Sequence, residues 1–411
     1  MKPKILLITL NSCYPLFHGG AVAQYYFIDG LKDQVQFVLC TEVKTEKELK
    51  HIEQLKQKQP SLIVYTLNSI RPLPKNDFRS FLKKIIVPKK KHNLILQPNS
   101  DDFADPYFEH ADNKHSEAFI RLINEIIVKE SITQVQFDFY NTIDLCWGVP
   151  GDIRKIFVHH ELRFKRLQLA YEKSSLSPAC KNYLIQKTEL FERACLREMD
   201  EVIVFNENDA DLLRSDCKSV TVSPFGIPDE QIFKNQVSDT FDKLLFVGGE
   251  GHTPNLLGLT WFLDEIYTSN MKEIRYPVWI IGDWSENVKN KYSMYSQVVF
   301  CGVVDSVEPY FEHSIFVNPI LTGAGLRTKV IHAMVNKVPV LTTRFGAEGC
   351  FSENEDKHIG LFEDADEFIT VLQKSDFKSL AINGYDFYNS LFSKKKLLQK
   401  RLDILTNIIN A

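Results

Sequence analysis

The sequence predicts an α/β fold, two Rossmann-like domains facing each other across a cleft, and three observations carry that expectation. At 411 residues the chain exceeds one ordinary core and suits two domains of roughly 150 to 220 residues each. Short apolar runs alternate with helical stretches through both halves, the order expected of parallel strands joined by crossover helices. Between the halves, Ser223 to Phe241 (SPFGIPDEQIFKNQVSDTF) has two prolines, a glycine and no clean periodicity, the composition of a linker. The expected division is an N-terminal domain over residues 1–225, a linker over 226–241 and a C-terminal domain over 242–384.

In the first domain, Lys4 to Leu10 (KILLITL) is a continuous apolar run, as a parallel strand covered on both faces requires. A loop with Pro15, Gly19 and Gly20 follows, then a helix over Ala21 to Leu31 and a strand over Val35 to Cys40. Further strands are expected at Leu62–Tyr65, Val135–Phe139, Ile156–His159 and Val202–Phe205. The exception is the basic stretch 75–95, which carries Phe78, Phe81, Leu82, Ile85 and Ile86. It reads either as an amphipathic patch for peripheral membrane contact or as a helix on the sheet with solvated lysines.

The second series begins at Lys243–Val247 and continues with Pro277–Ile281, Val298–Cys301, Ile315–Asn318 and Pro339–Thr342. The last stretch, Tyr385 to Ile409, has a helical pattern ending in Leu402, Leu405 and Ile409, so residues 385–411 are expected to pack back on the first domain.

Composition narrows the function. Apolar content is 44%, charged content 25% and net charge −4, so nothing global attracts nucleic acid. The eight cysteines include no C-x-x-C pair, which argues against a zinc or redox motif and for buried thiols in a reducing cytoplasm. The apolar run Ile5 to Ile8 is shorter than the roughly 7 residues of a signal-peptide core. No run approaches the ~18 apolar residues of a spanning helix, so a cytoplasmic location is expected, at most peripheral at the inner face of a membrane.

Three glycine-containing loops of the second half follow strands, and in an open parallel sheet such loops gather where ligands bind. The first is Gly248-Gly249-Glu250-Gly251-His252-Thr253-Pro254-Asn255, where Thr253 suits an N-cap and Pro254 the first helical position. Free amides at such a helix start favour a phosphate, although a strand-to-helix glycine also serves a tight turn. Gly282 and Gly302 stand at the ends of the next two strands.

The second loop, Asn318 to Met334 (NPILTGAGLRTKVIHAM), is the strongest. Gly323 and Gly325 let the backbone approach a ligand, and a helix is expected from near Leu326. A helical wheel groups Val330, Ile331, Ala333 and Met334 in one sector, with Thr328, Lys329 and His332 opposite. Arg327 falls in the apolar sector, from which it would curl around the first turn toward the glycine loop. Loop amides beside Arg327 and Lys329 make a diphosphate clamp; the alternative is an ordinary amphipathic helix with solvated Lys329 and His332. The third loop, Phe345-Gly346-Ala347-Glu348-Gly349, brings Glu348 toward the same cleft or leaves it as an exposed carboxylate.

The segment GAGLRTKVIHAMVNKVPVLTTRFGAEG resembles, in order and spacing, the donor-site signature of family 4 GT-B glycosyltransferases, the glycosyl transferases group 1. FVGGEGHTPNLLGLTWFLDEI is similar to the family's first donor-domain strand, loop and helix, and VVFCGVVDSVEPYF to its base-proximal segment. PLFHGGAVAQYY resembles the family's N-terminal loop, and SPFGIPDE stands at its interdomain segment. The resemblance implies transfer of a sugar from a nucleoside-diphosphate-sugar to a glycan, lipid-linked saccharide or other acceptor. It implies retention of anomeric configuration, no bound metal and no cofactor beyond the donor. Arg327 and Lys329 become candidates for stabilising the departing diphosphate. Gly19, Gly20, Gly248, Gly249, Gly282, Gly302, Gly323, Ala324, Gly325, Leu326, Thr328, His332 and Glu348 become candidates for donor contact.

The family commonly has two glutamates seven residues apart around this helix, where this chain has Ala324 and His332. That departure motivates the alternative of a non-catalytic GT-B subunit that binds nucleotide-sugar or supports a partner; a nucleotide-sugar epimerase shares the architecture. In the first domain, FVHHELRFKR places either His159 or His160 where the family often has a histidine, with His160–Glu161 a candidate acid/base pair.

Overall fold

The structure is a computed structural model that describes residues 2–70, 114–172, 174, 176–234, 236–323, 325–350 and 357–406. The basic stretch 75–95 and Ala324 lie outside these residues.

Among the described residues the first domain has seven strands: β1 (Lys4–Ile8), β2 (Gln36–Val43), β3 (Ile63–Asn68), β4 (Gln134–Asp138), β5 (Arg154–Val158), β6 (Glu201–Val204) and β7 (Val220–Val222). They pair in the order β3-β2-β1-β4-β5-β6-β7, every pair parallel. The second domain has six, β8 (Lys243–Val247), β9 (Val278–Ile281), β10 (Val298–Gly302), β11 (Ser314–Asn318), β12 (Val340–Thr342) and β13 (Gly360–Leu361). Their order is β10-β9-β8-β11-β12-β13, again all parallel. Each sheet is therefore doubly wound, with the strand order reversing between β1 and β4 and between β8 and β11.

The continuous apolar strands follow from burial on both faces. Ile5 and Leu7 of β1 enter one apolar cluster and Leu6 and Ile8 the other, as a period of two dictates. The first of these clusters continues into the second domain, through Phe225, Ile227 and Tyr388 to Leu245, Phe316 and Ile331. Leu244 and Phe246, on the opposite face of β8, belong to a third cluster.

Among the described residues, eight helices of the first domain and the start of the second position the loops that matter. They are α1 (Gly19–Leu31), α2 (Glu46–Lys58), α3 (Glu117–Glu130), α4 (Arg163–Glu172), α5 (Pro178–Arg197), α6 (Glu207–Leu213), α7 (Thr253–Trp261) and α8 (Glu286–Tyr292). Five more follow: α9 (Glu308–Phe311), α10 (Thr328–Val335), α11 (Ala365–Lys374), α12 (Phe377–Leu391) and α13 (Lys394–Thr406). Capping fixes several starts: Thr45 and Glu48 form a reciprocal box at α2, and Ser177 precedes Pro178 at α5. At α7 the cap position falls on His252, which makes no side-chain capping bond, and Thr253 is already helical. The expected cap is thus displaced by one residue.

The C-terminal stretch is two helices rather than one. α12 begins at Phe377, and Gly384 packs it closely on Met334 of α10. The chain breaks at Phe392 and Ser393, and α13 then lies on α1, where Gly30 faces Leu398 and Arg401 sits 3.8 Å over the Phe27 ring centre. The linker runs beside this return: the Ile227 amide donates to Tyr388 Oη at 2.9 Å. Among the described residues no helix is long and apolar enough to cross a membrane.

Candidate active site

At each strand-order reversal neighbouring loops diverge to opposite sides of the sheet and leave a crevice at the carboxyl ends of the strands. The two crevices face each other here. Between them lies a cleft of about 450 Å³, lined from the first domain by His18, Gly19, Gly20, Phe139, His160, Glu161 and Arg166, and from the second by His252, Asn255, Asn318 and Thr322 to Lys329 where described.

The second-domain wall is organised by its glycines. Gly323 and Gly325 take φ of 131° and 81°, backbone that side-chain-bearing residues rarely adopt. A Cβ on Gly325 would also stand 2.7 Å from the His160 carbonyl oxygen across the cleft. The chain then enters α10, whose first turn points a half-buried lysine into the cleft. Lys329 Nζ donates to Asn255 Oδ1 at 2.7 Å, and the Asn255 amide is itself oriented by the Gly249 carbonyl at 2.9 Å. Gly248 makes room for this ammonium, since a Cβ there would lie 2.5 Å from Nζ. Burial pushes the Lys329 pKa down to about 8.

Arg327 turns the other way. Its Nε reaches the Phe345 carbonyl at 3.3 Å and Nη2 donates to Glu348 Oε2 at 3.0 Å, with the guanidinium over the Phe345 ring. Burial lowers its pKa while the Glu348 charge opposes that. The pair spans toward the other domain, because Glu348 Oε1 lies 3.9 Å from Lys165 Nζ, which also holds Asp209 at 3.2 Å. Thr328 closes the contact: its Oγ1 would meet a Cβ on Gly19 at 2.7 Å.

On the first-domain wall, His160 Nε2 lies 3.1 Å from Asp138 Oδ1. A carboxylate only accepts, so Nε2 carries a proton and donates it to Asp138. Asp138 Oδ2 accepts in turn from Gln136 Nε2 at 2.8 Å. Phe139 has φ of 71°, an uncommon conformation for an aromatic residue, and this turn lays its ring flat on His160 at 3.9 Å. The same ring occupies the space a Gly20 side chain would need. His18 caps α1, its Nδ1 accepting from the Ala21 amide at 3.1 Å.

The structure thus brings Gly19, Gly20, His160, Gly323, Gly325, Leu326, Arg327, Thr328 and Lys329 together in one cleft. Glu348 joins through Arg327. Gly248, Gly249 and Gly282 form a tight backbone corner behind Lys329, and Gly302 at the end of β10 joins it by accepting the Gly282 amide at 2.9 Å.

Two expectations are corrected. His159 is in the core: Nε2 lies 2.8 Å from Glu192 Oε1, too far out of line for a hydrogen bond, and Glu192 also accepts the first amides of α4. Successive residues at a strand end point to opposite faces, so only one of the two histidines can enter the cleft. His332 does not line the cleft with Lys329; its Nε2 bonds the Gln231 carbonyl of the linker at 3.1 Å, between Phe233 and Phe311. Burial pushes its pKa down to about 4.

The carboxylate partner of His160 is Asp138, whereas Glu161 pairs with Arg166. Asp138, Phe139, Asn255 and Arg166 are the site residues that sequence reasoning missed. Among the described residues no three His, Cys, Asp or Glu side chains cluster as metal ligands.

Two doubly wound domains with the site between them define the GT-B architecture, and comparison with solved structures agrees. Sucrose-phosphate synthase of Thermosynechococcus elongatus superposes with a TM-score of 0.68 at 13% identity, covering 99% of each chain. HepE of Anabaena, solved in complex with UDP, gives 0.60 at 10% identity, covering 99% of this chain and 100% of that one. Residues 242–374, the greater part of the second domain, match the family model for glycosyl transferases group 1. An uncharacterized 44.6 kDa protein of the cps region in Klebsiella pneumoniae is 26% identical over 226 residues. That match covers 48% of this chain and 58% of the relative's length.

Proposed function

We propose that this chain is a retaining, metal-independent glycosyltransferase that moves a sugar from a nucleoside-diphosphate-sugar to a glycan or lipid-linked saccharide. The observation that carries the reading is the Lys329 ammonium, half-buried beside the glycine turn of Gly323 and Gly325 in the cleft that His160 lines from the other domain. A leaving diphosphate gains negative charge as its bond to the sugar breaks. Fixed amides at the start of α10, Lys329 and the nearby Arg327 supply the compensating charge without reorganisation. Across the cleft, His160 is locked by Asp138 and Phe139 and is available to a hydroxyl of the transferred sugar or the acceptor. The UDP found in HepE supports a nucleoside diphosphate as the ligand, and the cps-region relative supports a polysaccharide context.

The test is a thermal-shift screen of nucleoside diphosphates and their sugars. At least one is expected to raise the melting temperature of the protein and not that of Lys329→Ala. A panel covering the common nucleotides with no shift would sink the reading.

A further inference from the structure

Beneath the main cleft lies a smaller cavity of about 20 Å³, room for one water molecule. Its polar lining comes from four parts of the chain: Gln24 of α1, Gln136 and Asp138 of β4, His160 after β5, and Arg401 of α13. Gln24 is 8% exposed, and its Oε1 has no hydrogen-bond partner among the described residues. Asp138 is 2% exposed; one oxygen accepts from His160 and the other from Gln136, which leaves a lone pair on each. Arg401 is equally buried and is held by two 3.2 Å bonds to Ser223, from Nε to Oγ and from Nη2 to the carbonyl. Its charge and that of Asp138 act on each other.

We propose that one water bridges Gln24, Asp138 and Arg401 in this cavity, and that Arg401 acts through it as a positioning residue for His160. The donors and acceptors match: the water accepts from the guanidinium and donates to Gln24 Oε1 and to Asp138. Through the water Arg401 offsets part of the Asp138 charge, and without it that carboxylate would favour a second proton on His160 more strongly. The other titratable groups around this pair are Cys13, His18, Glu161 and Arg166. The C-terminal helix thus sets the protonation of an imidazole in the cleft. This rests on the proposed function only in taking His160 as part of the reacting site.

Two measurements on the full chain test it: a high-resolution crystal structure, and ¹⁵N NMR of the histidine rings at neutral pH. The expected results are one ordered water within hydrogen-bond reach of Gln24, Asp138 and Arg401, and a His160 signature with only Nε2 protonated. In Arg401→Met the ring signals are expected to move toward the doubly protonated form, and Arg401→Lys should restore them. Gln24→Met is expected to lose the water and shift the signals the same way, which keeps the test decisive if Arg401→Met does not fold. A dry wild-type cavity, or unchanged His160 signals in either folded methionine variant, overturns the proposal. Neither measurement uses a donor sugar, so failure of glycosyl transfer is read separately, in the nucleotide screen.

Discussion

Arg327 of the donor-side helix is paired with Glu348, Nη2 to Oε2 at 3.0 Å, and the same carboxylate lies 3.9 Å from Lys165 of the other domain. Glu348 therefore neutralises a cation that faces the cleft and tethers the two walls at once. Glu348→Gln is expected to tighten UDP binding about threefold to tenfold at low salt, the range of roughly 1 kcal/mol for a partly exposed ion pair. Calorimetry reads this directly, and weaker binding would show that the carboxylate itself holds the ligand.

Lys329 supplies a pH signature. Its ammonium has a pKa near 8 when the site holds no anion, and a bound diphosphate would keep it protonated well above that. Below pH 8 the ligand meets an existing charge; above it, binding must take up a proton. Affinity should accordingly fall as pH rises through 8, by up to about tenfold per unit. Lys329→Met should weaken binding about 10-fold to 100-fold, as loss of a charged hydrogen bond does, and flatten the profile between pH 7 and 9. A variant that keeps the wild-type slope would assign it elsewhere.

His332 supplies the opposite dependence, in stability. Its folded pKa of about 4 lies below that of a free histidine, so between pH 4 and roughly 6.5 the unfolded chain binds a proton that the folded chain refuses. Stability contributed at neutral pH is lost on acidification through that window, by at most about 3 kcal/mol. His332→Gln retains a donor for the Gln231 carbonyl without titrating. Urea unfolding at pH 7 and pH 5 is expected to differ less in this variant than in the wild type.

Tyr388→Phe removes the acceptor for the Ile227 amide, in a position where Tyr388 is 5% exposed. An orphaned buried donor costs about 1 to 3 kcal/mol, so in a chain of this length the melting temperature should drop by about 1 to 4 degrees. An unchanged melting temperature would mean that the amide finds another partner.

The strands were legible because burial on both faces writes itself as unbroken apolar runs, as in KILLI of β1 and SIFVN of β11. β7 and β13 were not, being a half-buried VTV and a two-residue Gly360–Leu361 with too little sequence to carry a pattern. The glycine turn and Lys329 were legible from local spacing. The Asp138–His160 pair was not, since 22 residues separate two side chains that meet only when β4 and β5 lie parallel. His332 misled for a related reason. The wheel grouped it with Lys329, but α10 is only eight residues long and packs against different neighbours within one turn, Asn255 on one side and the Gln231 carbonyl on the other.

The chain passes between the domains twice, once through the linker and once from α12 to α13, and the two passages are joined where the Ile227 amide meets Tyr388. Two strands of a connection bound at one point behave as a pivot rather than as a tether. Any opening of the cleft would turn about this point, because twisting or sliding one domain past the other would strain both passages together. Lys165 and Glu348, or Gly19 and Thr328, should therefore separate and return along a single arc, which restores the same register across the cleft each time it closes.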